Sequence, residues 1–146
     1  MLDLVQLGRA EPARALGEDT LQRSRRVLGP DHPITLGAAA ALTLALTQLG
    51  EAEPARALGQ DTLRRCRQVF GPDHPITLGA AAVLTGVLAG LSEVEGARAL
   101  GQDTLPRCLR TLGPDHLITR SLARVAVTDP HLRGDEAGAD GLSSPR

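Results

Sequence analysis

Residues 29–40 read GPDHPITLGAAA, and residues 71–82 repeat the same twelve letters. A decayed third copy, GPDHLITRS, begins at Gly113, so the spacing is 42 residues each time. A fixed period of about 20 to 50 residues is the mark of an array in which one supersecondary unit stacks on the next. Outward from the shared stretch, ARALGEDTLQRSRRVLGPDHPITLGAAAALTLALTQLGEAEP fills 13–54 and ARALGQDTLRRCRQVFGPDHPITLGAAAVLTGVLAGLSEVEG fills 55–96. A third, degenerate partial repeat opens with ARALGQDTLPRCLRTLGPDHLITRS and is assigned 97–128. Residues 1–12 align with 43–54 through shared Leu-Gly, Ala and Glu-Pro positions, so the chain is expected to open on a partial repeat.

The periodicity predicts two helices per unit. In the arginine-bearing half, Ala55, Leu58, Gly59, Thr62, Leu63, Cys66, Val69 and Phe70 recur at steps of three and four. Arg56, Gln60, Asp61, Arg64, Arg65 and Arg67 fill the other face, as in an amphipathic helix. Gly71-Pro72 then combines a left-handed-tolerant residue with one that cannot continue a helix. Pro75 stands just inside the next helix, where a missing backbone N–H costs nothing. Asp31 or His32, and Asp73 or His74, are placed to accept from the orphan amides of the first turn. The stretches 33–49 and 75–91 contain no charged residue, as expected of helices packed on most sides. GPDHP is thus read as a corner between helices.

With the unit phased, the chain resembles the tetratricopeptide repeats of the kinesin light chain type. The resemblance rests on the 42-residue helix-turn-helix period, the LGPDHPxT corner and the Gly-x-x-x-x-Ala of Gly50 and Ala55, and it covers roughly residues 1–128. The same unit occurs in bacterial regulatory proteins that attach such arrays to nucleotide-dependent switch domains. It implies an all-α, right-handed solenoid of antiparallel helix pairs whose concave groove binds peptide segments of other proteins. In the family's groove register the lining is Gly37, Ala40, Leu44 and Thr47, then Gly79, Ala82, Gly86 and Ala89. The Asn pair that family members carry is replaced by Ala40 and Ala41, then Ala82 and Val83. Family aromatic positions hold Ala39, Leu46, Ala52 and Gly59, then Ala81, Leu88, Val94 and Gly101, which implies a thin core.

Composition narrows the function. With 16 basic and 17 acidic residues the formal net charge is −1, which provides no field to recruit nucleic acid. One aromatic residue, Phe70, leaves no stacking platform for single strands. No cofactor is expected, since no GxxxxGK[ST] loop is present. No serine or cysteine nucleophile is placed to pair with a histidine, so no catalytic residue is assigned. His32, His74 and His116 stand one interhelical distance apart, about 8–10 Å, so one metal ion cannot join them. Cys66 and Cys108 lie on apolar stripes at equivalent repeat positions, which suits buried thiols in a reducing, cytoplasmic compartment. The uncharged segments are long enough to span a bilayer, but their Ala, Gly, Thr and Pro content puts insertion near neutral, so membrane insertion is not expected.

The reading is a protein-interaction scaffold without catalysis; the alternative is a non-catalytic remnant of a larger nucleotide-switched regulator. Three further expectations follow from particular residues. The N-terminal partial repeat supplies a first helix of only Met1–Leu7, leaving Ala13, Leu16, Leu21, Val27 and Leu28 on the helix from Glu11 to Leu28 uncovered and prone to self-association. Pro106 falls in mid-helix, where Gln22 and Arg64 stand in the other units. Residues 129–146 (DPHLRGDEAGADGLSSPR) lack apolar periodicity and are expected to be a disordered tail.

Overall fold

The computed structural model describes residues 4–128, which form six helices: α1 (Leu4–Val27), α2 (Pro33–Gln48), α3 (Ala52–Phe70), α4 (Pro75–Gly90), α5 (Val94–Thr111) and α6 (Leu117–Thr128). The expected tail, 129–146, lies outside the described residues. Two kinds of corner alternate. At GPDH the glycine ends the helix with positive φ (+94° at Gly29, +86° at Gly71, +85° at Gly113), a conformation that costs any residue with a Cβ. At the second corner Gly50 has φ +76°, and the N–H groups of Glu51 and Gly50 donate to the carbonyls of Leu46 and Thr47, a Schellman closure. Ser92 replaces that glycine in the next unit and still adopts φ +60°, with the same two bonds from Glu93 and Ser92.

Each helix packs on its neighbours in sequence, and α4 also touches α2 on one side and α6 on the other. Among the described residues the backbones of α1, α3 and α5 do not approach one another. That asymmetry sets the curvature: the Ala- and Gly-rich helices approach closely and line the inner, concave wall, while the arginine-bearing helices spread on the outside. An all-α solenoid follows directly. Gly59 shows how tight the contact is, since a Cβ there would stand 3.1 Å from a Leu84 methyl and 3.3 Å from the Thr43 methyl. Gly59 therefore fits one outer helix between two inner ones, at a position where an aromatic would collide with both.

The core is narrow and falls into two clusters. One cluster joins Leu36, Ala39, Leu42 and Leu46 of α2 to Ala55, Leu63 and Cys66 of α3 and to Ala81, Leu84 and Leu88 of α4; a second joins Leu78, Cys108 and Leu122. Threonines fill space that larger side chains occupy elsewhere, and they hide their hydroxyls by donating to carbonyls. Thr43 donates to Ala39, Thr85 to Ala81, Thr62 to Leu58 and Thr77 to Cys66. Thr35 and Thr119, the counterparts of Thr77, are as deeply buried but have no such partner.

Three details differ from the sequence reading. The first helix is not cut at Leu7: α1 runs unbroken through Gly8 and Pro12, the counterparts of Gly50 and Pro54. The corner at Gly50 is held by α2 packing on α3, whereas a helix as short as Leu4–Leu7 is far below the dozen or so residues that stand alone, so the segment extends the helix after it. On α1, Leu21 is covered, at 4% exposure, because α2 packs against it, whereas Leu16 and Val27 remain 67% and 77% exposed. Val69, read as part of the apolar stripe of α3, is exposed, because it falls outside the arc that α2 and α4 cover.

Candidate functional site

The repeated Asp-His pair divides into two structural tasks. His32, His74 and His116 are N-caps: each imidazole Nδ1 accepts from the amide two residues on, Ile34, Ile76 and Ile118, at 3.1 Å. Pro33 and Pro75 follow at the first helical position, where no donor is needed. The aspartates turn the other way. Asp31 accepts from Arg65 at 3.0 Å and Asp73 from Arg107 at 2.9 Å, each arginine lying 34 residues further on. Arg65 also binds Asp61, and Arg107 binds Asp103, so each guanidinium ties its own helix to the preceding corner.

The charges respond to these contacts. Hydrogen bonding from Arg107 holds the Asp73 carboxyl below the ordinary carboxylate value. At Asp61 burial pushes upward, but hydrogen bonds from Arg65 and Arg64 outweigh it and the net shift is downward. On the opposite corner Arg14 pairs with Glu51 and Arg56 with Glu93. Each ion pair is open to solvent, which screens most of its attraction. Repeated at each seam, they set register more than stability.

The thiols offer no nucleophile. Cys66 and Cys108 are free and fully buried; burial pushes Cys66 up to about 11 and Cys108 upward as well, so both stay protonated near neutral pH. Among the described residues no three His, Cys, Asp or Glu side chains gather where they could hold one metal ion, and no helix is long and apolar enough to cross a membrane.

What remains is the concave wall. The inner helices enclose an open groove of about 730 Å³. Gly37, Ala40, Leu44 and Thr47 of α2 line it, with Gly79, Ala82 and Gly86 of α4; these are seven of the eight residues named from the groove register. Ala89 lies outside the lining, half-buried against the core. Residues beyond those eight complete it: Ala41 and Val83, which stand at the Asn-pair positions, with Pro75, Ile76, Ala80 and Val87, and with Leu117, Ile118 and Ser121 of α6 closing one end. The α6 residues sit at the same positions as Pro75, Ile76 and Gly79, one period earlier, so carrying the register into the third unit would have found Ser121, whereas Leu117 and Ile118, like Pro75 and Ile76, lie outside it. None of the lining side chains is ionisable.

The local reason for that chemistry is the unit itself. Each inner helix must present one face to its outer partner and another to its inner neighbours, and small residues satisfy both. The third face is left to the groove. Comparison with known proteins agrees with this architecture: a family model for the tetratricopeptide repeat matches residues 2–34, 35–76 and 77–118, three consecutive units phased half a repeat away from the 13–54 and 55–96 frame. No curated protein matches the chain at a significant level. Period, corner chemistry, sequential helix packing and the three matched units together make the chain a member of the tetratricopeptide repeat family, of the kinesin light chain type.

Proposed function

We propose that the chain is a non-catalytic, cytoplasmic scaffold that holds a segment of a partner protein against its inner wall. Tetratricopeptide repeats generally mediate protein–protein interaction, and the observation that supports the groove as the surface is its uncharged lining on a protein otherwise rich in charge. A concave, apolar channel of this size gains binding energy from burial and gives the partner a defined seat. Panning a random 14-residue peptide library against the chain tests the reading. Selected peptides are expected to be poor in charge, to compete with one another, and to lose binding when Gly37→Leu and Gly86→Leu fill the channel. Selection of charged peptides indifferent to those substitutions would reject the groove.

A second contact is proposed at the outer face of α1, where Leu16 and Val27, three turns apart, are the most exposed large apolar side chains among the described ones of that helix. Their counterparts in α3 are Leu58, packed against the core, and Val69. Self-association through this face should appear as a concentration-dependent rise in sedimentation coefficient. Leu16→Glu with Val27→Glu should abolish it without unfolding, because neither side chain is buried; a wild-type monomer at millimolar concentration would dismiss the contact.

A further inference from the structure

We infer that the groove takes an α-helix of about three to four turns with an uncharged inner face, and that it discriminates against extended peptides. The inference rests on the groove reading above and names the kind of segment that fills it.

The first reason is an inventory of hydrogen-bonding groups. The only polar side-chain atoms in the lining are the hydroxyls of Thr47 and Ser121, and both already donate within their own helices, to the carbonyls of Thr43 and Leu117 at 2.8 Å. Along the α2–α4 wall the backbone amides are engaged as well. Pro75 has no N–H, the Ile76 N–H donates to the His74 imidazole at 3.1 Å, and the remainder serve the helices. The wall therefore offers no free donor. An extended segment carries one carbonyl and one N–H per residue; the carbonyls facing the wall would lose water without gaining a donor, and the N–H groups would find only the two hydroxyl oxygens of Thr47 and Ser121 as side-chain acceptors. A helix has already closed its backbone bonds internally.

The second reason is charge. The lining contains no ionisable group, while the arginines, aspartates and glutamates of the ion pairs belong to the outer helices and corners. A charged side chain pressed into the channel would be desolvated with no counter-charge, so the complementary face is neutral. Dimensions supply the third reason. On α4 the lining runs from Pro75 to Val87, which at 1.5 Å per residue is about 20 Å, the length of a helix of some 13 residues. Glycine and alanine along that wall let a partner axis approach to the short end of the usual range, about 8 Å.

The test compares two probes on the full chain by fluorescence anisotropy. One is a labelled, end-blocked 13-residue peptide with Ala and Leu on one helical face and balanced Glu and Arg on the other. The second has the same sequence with three central D-residues, which prevent a continuous helix. The helical probe should bind at least about 100-fold more tightly, the effect of two unmatched backbone groups. It should also lose binding in the Gly37→Leu, Gly86→Leu variant, in which a Cβ at either position meets nothing within 4 Å and the side chains extend into the open groove, so the fold is expected to hold. Equal or tighter binding of the D-substituted probe, blocked by the filled groove, would overturn the helix inference while sparing the groove. Failure of both probes, or binding indifferent to the filled groove, would overturn the groove reading and this inference with it.

Discussion

Replacing Pro106 with arginine is expected to raise the melting temperature by several degrees. α5 runs without interruption from Val94 to Thr111, so Pro106 is held in a helix interior. There it supplies no N–H to the carbonyl of Gln102 and its ring crowds that carbonyl, a penalty of about 3 kcal/mol in a helix interior. The equivalent positions carry Gln22 in α1 and Arg64 in α3. Pro106 is exposed, and an arginine side chain there enters solvent without displacing a neighbour. At about 2–4 °C per kcal/mol for a chain of this size, a gain of even half the full penalty is readily measured. Thermal circular dichroism on the wild type and on Pro106→Arg decides it; an unchanged or lower midpoint would mean that the proline's restriction of the unfolded chain offsets what the native helix loses.

The largest loss is expected at Leu78. This side chain is 1% exposed and joins three helices, meeting Cys108 of α5 and Leu122 of α6 in the smaller core cluster. Leu78→Ala removes three carbons and leaves a cavity, at a cost of about 3 kcal/mol. Little can collapse into the space, because the surrounding side chains are themselves small or already in contact. In an array each unit leans on the next, so the damage should fall first on α5 and α6, lowering the midpoint of urea unfolding and broadening the transition. Val69→Ala is the control: a more exposed apolar residue of the adjacent outer helix, it should change stability by less than about 0.5 kcal/mol. If Leu78→Ala matched that control, Leu78 would not be a core residue.

Both substitutions act on features of very different legibility. Pro106 is visible by comparing three aligned units, with no knowledge of packing. The importance of Leu78 over its helix neighbours is not, since α4 is almost wholly apolar and periodicity cannot rank its faces. The same ambiguity explains why the groove register named Gly79, Ala82 and Gly86 of the lining and passed over Val83 and Val87 beside them. α3, with charge on one face, was read almost to the residue; its exception, Val69, lies at the edge of the buried arc.

The sequence by itself determined whatever is local and repeated. Helix ends follow from glycine's tolerance of positive φ, from proline's fixed geometry and from a histidine two residues ahead of the amide it caps, all within a few bonds of one another. Tertiary structure alone decided the rest. The aspartate beside each capping histidine binds an arginine 34 residues away, because superhelical stacking, and not sequence distance, brings the corner against the next outer helix. α1 passes through Gly8, whose counterpart Gly50 turns the chain between α2 and α3, because a corner holds only when a packed helix stands on each side of it. The groove is likewise a property of curvature: small inner residues let α4 close on α2 and on α6 while the outer helices stay apart, and the concave wall exists only once all three are stacked.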